Sequence, residues 1–271
     1  MDEQFWDDVA DRYEEEIFNV HQHDRRRVLA RWLDELVDPD SVVADFGCGI
    51  GHGIPRLARR ANTVYATDHS QRSLEIAQQR CAAHPNVVYA KRNLAARQVR
   101  LCKADVGLVV NVLIMPQRAT RRAILENVRL NLKPDGHLLL VVPSLETVLY
   151  TCTRLVQWYV RDGMQYKKAV QQVAHDARRE LASVVEGIVI NDGTPTKHYL
   201  REEAEVMLAS CGFKVLAAEK VEYPWEEDIT DPPQWLAEPY PWDWLYVAQR
   251  VRRRRSGARR ELAGAKTSKS N

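Results

Sequence analysis

Val42-Val43-Ala44-Asp45-Phe46-Gly47-Cys48-Gly49-Ile50-Gly51-His52-Gly53 decides the reading of this chain. An apolar run ending near an acid passes straight into glycines at every second position, the pattern of a strand, a tight turn and a helix. Glycine is needed where the backbone takes positive φ or must approach a ligand closely. The next residues, Ile54-Pro55-Arg56-Leu57-Ala58-Arg59-Arg60, suit a helix opening with Pro55 in its first turn. A helix that starts behind such a loop offers free N–H groups and a positive dipole end to an anionic ligand group. The dinucleotide pattern G-x-G-x-x-G would need glycine at position 52 or 54, where His52 and Ile54 stand, and the phosphate loop G-x-x-x-x-G-K-[ST] is absent.

The strands that follow narrow the ligand. Residues 63–68 form a second strand-like run ending in Asp68, about 20 residues past the loop, where an acid can accept both ribose hydroxyls of an adenosine ligand. His69-Ser70 then lead into a helix from Gln71. A third run covers 86–94 and ends Asn93-Leu94, and a fourth covers 104–113 and contains Asn111. The fifth, 132–143, is entered through a Pro134-Asp135-Gly136 turn, and Cys211-Gly212-Phe213 closes a helix and opens another strand.

Asp45-x-Gly47-x-Gly49-x-Gly51, with Asp68 and the later strands in this order, resembles the class I S-adenosylmethionine-dependent methyltransferases, over 42–143 and again from about 199 to 249. The resemblance implies S-adenosyl-L-methionine as cofactor, with Asp45, Gly47, Cys48, Gly49, Gly51, Asp68, His69, Asn93, Leu94 and Asn111 around it. It also implies that Tyr13, in the leading helix, closes over the methionine end; the rival reading is that Tyr13 and Trp6 pack that helix on the sheet. The family usually carries an acid where Asn93 stands. An amide oxygen still accepts a hydrogen bond from the adenine amino group, but the charge is lost. Cys48 reads as a small packed residue before a redox one.

The implied fold is α/β, a Rossmann-like doubly wound sheet of about seven strands, mostly parallel with an antiparallel last strand, plus an inserted helical lid. Residues 1–37 are expected to form helices over 3–18 and 22–37 that cover the cofactor site, and 38–143 the cofactor-binding half. Residues 144–198 exceed a simple crossover. Leu145, Val148, Leu149, Leu155, Val156, Tyr159 and Val160 recur at helical spacing, as do Tyr166, Ala169, Val170, Val173, Ala174, Ala177 and Leu181. Two amphipathic helices here would cap the carboxyl end of the sheet as a substrate lid; dimerisation is the alternative. A strand-like run and turn follow over 184–199, and 199–249 completes the sheet with strands over 213–222 and 242–251. The proline-rich connection 224–241 between them carries Trp225, Trp235 and Tyr240. Five of the seven tryptophans fall between 158 and 244, consistent with an aromatic acceptor pocket or with packing of lid on sheet.

At 271 residues the chain can bury a sizeable core, and 45% hydrophobic with 28% charged residues is ordinary for a globular protein. No apolar run reaches the roughly 20 residues that span a bilayer, and the acidic start lacks a signal peptide's pattern. Five scattered cysteines without C-x-x-C suggest reduced thiols and a cytoplasmic setting, with no metal site. Charge is uneven: residues 250–271 hold seven arginines, two lysines and one glutamate, +8 against +2 for the whole chain, leaving −6 on 1–249. That tail reads as a disordered, solvated segment, or as an electrostatic arm for nucleic acid or an acidic partner.

The chemistry implied is in-line methyl transfer, for which alignment and desolvation can suffice. A hydroxyl or ammonium acceptor must also lose a proton. His198, ending the insert, is the candidate base, with Asp192, Tyr199, His52 and His69 behind it. The fourth strand ends Val110-Asn111-Val112-Leu113-Ile114-Met115, without an N-P-P-Y-type motif, which leaves a small-molecule acceptor, with nitrogen, oxygen and carbon all open. The rivals are an RNA or protein methyltransferase that uses the basic tail, and a non-catalytic partner subunit. Oligomeric state is not encoded in these patterns.

Overall fold

The computed structural model describes residues 1–191 and 193–252; most of the basic tail, and Asp192, lie outside them. The N-terminal segment forms α1 (Glu3–Ala10), α2 (Tyr13–Glu16), α3 (Val20–His23) and α4 (Val28–Leu36), four short helices where two long ones are expected from the pattern. The breaks have local causes. Ile17 is extended, Arg27 takes a left-handed φ of +54°, and Asp2 and Asn19 each cap a new start, accepting from Phe5 N–H at 3.1 Å and Gln22 N–H at 3.2 Å.

The remainder alternates strictly at first. β1 (Val42–Phe46), α5 (Ile54–Ala58), β2 (Thr63–Asp68), α6 (Gln71–Arg80), β3 (Val87–Lys91), β4 (Ala104–Val110), α7 (Arg118–Asn131) and β5 (Leu132–Pro143) lead to the insert, α8 (Leu145–Arg161) and α9 (Tyr166–Glu180). Residues 181–197 form a small antiparallel sheet of β6 (Leu181–Ser183), β7 (Ile188–Asn191) and β8 (Thr194–Lys197), where a strand-like run and turn over 184–199 is expected and Leu181 is expected in the helix before it. Then come α10 (Arg201–Ser210), β9 (Phe213–Glu222) and β10 (Trp242–Arg250).

The main sheet has seven strands in the order β3-β2-β1-β4-β5-β10-β9. All neighbours run parallel except β10, which is antiparallel to both β5 and β9. The expected architecture is thus the observed one. Alternation sends Val43, Leu139, Val141, Leu245 and Val247 into one core and Ala44, Leu138, Leu140, Val142 and Tyr246 into the other, all at most 1% exposed. Strand order reverses between β1 and β4, and the carboxyl ends there form the crevice in which such sheets bind ligands. At the opposite end of β5, Asp135 at φ +64° turns the chain into the strand and shifts its register against β4.

The insert is fastened to that carboxyl edge. Ser144 caps α8 through Thr147 N–H at 3.0 Å, and the Thr147 hydroxyl donates to the Trp242 carbonyl at 2.7 Å. Glu146 accepts from Trp244 Nε1 at 3.0 Å and from Arg201 N–H at 2.9 Å. Trp225, Trp242 and Trp244 are all buried, so these three tryptophans pack the insert on the sheet. No helix is long and apolar enough to cross a membrane among the described residues.

Candidate active site

Gly47, Gly49 and Gly51 adopt φ of +78°, +51° and +90°, the left-handed region that side chains resist. A Cβ on Gly47 would fall 2.4 Å from Val112 Cγ2, and one on Gly49 would fall 2.6 Å from the Tyr13 hydroxyl. The loop hangs on the end of β2. Gly47 and Cys48 N–H donate to the Thr67 carbonyl at 2.7 and 2.9 Å, and Gly49 N–H donates to Asp68 Oδ2 at 2.8 Å. Asp68 Oδ1 accepts Ser70 N–H at 2.9 Å, and each oxygen keeps further acceptor capacity.

Asp45 is 4% exposed. Its carboxylate has no hydrogen-bond donor among the described residues, and burial, with the Asp68 charge second, pushes its pKa up to about 7. Burial also raises Asp68, against the pull of its backbone N–H donors. Two acids thus share one cleft with no cation between them, and a positively charged ligand group would relieve both. Cys48 is buried with its thiol pushed well up by burial and by these carboxylates, which fits the packing reading.

The N-terminal segment closes this cleft. The Tyr13 phenol lies against Gly49, and burial beside Asp68 keeps it protonated. His21 lies over Gly53 beside Asp45: a Cβ on Gly53 would be 3.0 Å from His21 Cε1 and 3.4 Å from Asp45 Oδ2. Burial lowers the His21 pKa to about 4, so the ring is neutral. The segment is tied down by Asp7 to the Ser70 hydroxyl at 2.5 Å, by Asp11 to Arg72 at 2.7 Å, by Glu3 to Lys91 at 2.5 Å, and by Glu14 to His52 at 3.0 Å and to Arg80. His69 faces the same segment, 3.9 Å from Glu3.

Past the loop, Val112 lies over Gly47 and Asn111 precedes it at φ +52°. Asn111 Nδ2 reaches Asp243 Oδ2 at 3.4 Å, while its own Oδ1 is buried without a partner. Asp243 is 5% exposed, opposite Pro143 of β5 and Val221 of β9. Burial pushes its pKa up to about 7, with the Asn111 amide opposing and Asp228 adding to the rise. Asp228 in turn accepts from the Tyr223 hydroxyl at 3.2 Å and from Thr151 of α8 at 3.0 Å, and Phe18 packs on Tyr223 with ring centroids 4.8 Å apart. The N-terminal segment, the 223–241 connection and the insert therefore meet at one edge.

The structure brings Tyr13, Asp45, Gly47, Cys48, Gly49, Gly51 and Asp68 together, with Asn111 joined to them through Val112. At the end of β3, Asn93 is exposed and its Oδ1 takes Ala95 N–H at 2.9 Å, while Leu94 is buried. His198 is buried too. Its Nδ1 stands 3.3 Å from the Thr196 carbonyl of its own segment, and burial lowers its pKa to about 4, far from the range of a base at neutral pH. Tyr199 donates to the Leu113 carbonyl at 2.7 Å, and Asp192 lies outside the described residues. Sequence reasoning missed His21, Thr151, Asp228 and Asp243. Only Asp243 carried a signal, an acid between two tryptophans at the start of an apolar strand.

Residues 43–136 match the family described as "Methyltransferase domain". No curated protein matches the chain in sequence. Among solved structures it is similar to a complex of DhpI with SAM and HEP (17% identity, TM-score 0.59), covering 91% of this chain and 94% of that one. The N-methyltransferase NodS from Bradyrhizobium japonicum with S-adenosyl-l-homocysteine is also similar (13%, TM-score 0.58, 92% and 97% covered). So is a SAM-dependent methyltransferase from Methanosarcina mazei (14%, TM-score 0.58, 81% and 97% covered). The match over residues 43–136, the strand order and the glycine loop together show a methyltransferase-like domain fold.

Proposed function

We propose that the protein transfers a methyl group from S-adenosylmethionine to a small-molecule acceptor, and that Asp243 is the base at the acceptor side. The carrying observation is the pair of cation-free acids, buried Asp45 and half-buried Asp68, on a glycine loop with three left-handed residues. This cleft fits the cofactor, which is cationic at both its ammonium and its sulfonium. Asp68 would hold the ribose hydroxyls, Asn93 and Leu94 the adenine, and Asp45 the ammonium group. When bound, the cofactor supplies a methyl group on a sulfonium that leaves as a neutral thioether. The acceptor would lie between Tyr13, Asn111 and Asp243. The covering N-terminal segment and insert support exclusion of water, and the Asp243 carboxylate, poised near pH 7, takes the proton that a hydroxyl or ammonium acceptor must lose.

Calorimetric titration with S-adenosylmethionine and S-adenosylhomocysteine tests the reading. Native protein binds both, and Asp68→Ala weakens each by about 10- to 100-fold, the loss expected for hydrogen bonds to a charged group. Absence of binding to the native chain overturns it.

A further inference from the structure

The insert carries a second built feature, away from the glycine loop. Between α8, the start of α9 and the 224–241 connection lies a cavity of about 530 Å³ whose walls include Arg154, Gln157, Arg161, Tyr166, Trp235 and Glu238. Arg154 is boxed by aromatic rings, with its guanidinium carbon 5.5 Å from the centroid of Trp235 and 5.9 Å from that of Trp225. Arg161 stacks on the same Trp235 at 4.3 Å. The Arg154 head has one protein acceptor among the described residues, Gln157 Oε1 at 2.9 Å from Nη1, and its Nε is buried without a partner. Glu238 shares the cavity, yet neither guanidinium makes an ion pair with it or with any other described carboxylate.

An unpartnered buried guanidinium N–H is costly, and Arg154 lines a space large enough for a small molecule. Stacking on Trp235 holds Arg161 in place while leaving its fork edge without a protein partner among the described residues, the geometry that takes carboxylate or phosphate oxygens two at a time, and Arg154 keeps its Nη2 unpaired beside it. We propose that this cavity is a binding site for the anionic group, phosphate or carboxylate, of a small molecule, with Trp235 and Tyr166 receiving the organic body beside it. The site is defined by the insert and the 224–241 connection and does not depend on the methyl-transfer reading. It does have a bearing on that reading. Thr151, which bonds Asp228 near the Asn111–Asp243 pair, sits ten residues before Arg161 on α8, a rise of about 15 Å. An elongated acceptor with an anionic end can span that distance.

The test uses the full chain and two probes, inorganic phosphate and phenylphosphate, at constant ionic strength, read by tryptophan fluorescence and equilibrium dialysis. Saturable binding that falls at least tenfold in both Arg154→Gln and Arg161→Gln, but not in Arg100→Gln on a distant exposed site, is the expected result. Saturation by phosphate alone identifies a free-anion site, whereas saturation by phenylphosphate only identifies the anionic end of a larger molecule. Non-saturable responses, or binding equal in all four proteins, overturn the proposal. Arg161 is exposed, so Arg161→Gln should keep the fold, and unchanged melting temperature and S-adenosylhomocysteine affinity verify that.

Discussion

The two halves of the cleft are made by different means. The cofactor half is local: one loop of twelve residues and one acid at the end of the next strand supply its turn, its close approach and its charge. The proposed acceptor half is assembled from residues 77 to 205 positions apart, with Phe18 on Tyr223, Thr151 on Asp228 and Asn111 on Asp243. A local device can be recognised in a sequence, because spacing and backbone demand specify it. An assembled one emerges only when the chain has folded, and it varies freely beneath a constant sheet.

That contrast has measurable consequences. The largest is expected at Gly47. Alanine there must adopt φ +78° and meets Val112 Cγ2 at 2.4 Å, so Gly47→Ala should abolish cofactor binding in calorimetry, a loss of about 100-fold or more. Wild-type affinity would break the claim that the loop is locally over-determined. Next is Asp243→Asn, expected to lower kcat by about 10²- to 10⁴-fold with cofactor affinity nearly unchanged. In the native enzyme kcat/KM should rise with pH through about 7, and in the variant it should be flat.

The same group makes a stability prediction of defined sign. Asp45 and Asp243 have folded pKa values near 7, above the ordinary carboxylate value, so the native state holds more protons in between. Their contribution is fully present below about pH 4 and is lost as pH rises through about 7. Asp243→Asn should therefore melt higher than the native protein at pH 8, by thermal denaturation, and no higher at pH 4. A smaller effect is expected from Glu146→Ala, which leaves the Trp244 Nε1 donor unpaired and loosens the insert, costing about 1–3 kcal/mol in urea unfolding. Smallest is His198→Gln, expected to change kcat less than about twofold, since a neutral ring facing its own backbone contributes little to proton transfer.

Legibility followed the same division. The five parallel strands and the antiparallel β10 follow from apolar runs bounded by glycine and proline, because the central strands β1, β4, β5 and β10 are buried on both faces and read as nearly continuously apolar. The two insert helices follow from their 3.6-residue spacing. The N-terminal helices read as long because their polar faces look continuous, while the extended Ile17, the left-handed Arg27 and the Asn19 cap break them. His198 is the sequence's candidate base because it ends the insert, where a side chain is expected to face the cleft. In the fold it is Asp243 that burial carries to about 7 and His198 that burial carries to about 4.

The covering segment at the N-terminus sets a tempo as well as a shape. Tyr13 lies on Gly49, where a ligand must pass, and the segment is held by contacts of Glu3, Asp11 and Glu14 with cations at the surface. Exposed pairs of this kind are each worth less than about 1 kcal/mol and are screened by salt. We expect salt to loosen this strap, whose remaining hold is the buried packing of Val9, Ala10 and Val20, and cofactor exchange to quicken with it. Ionic strength should then speed arrival and departure together, so that the residence time of the cofactor shortens in salt far more than its equilibrium occupancy changes.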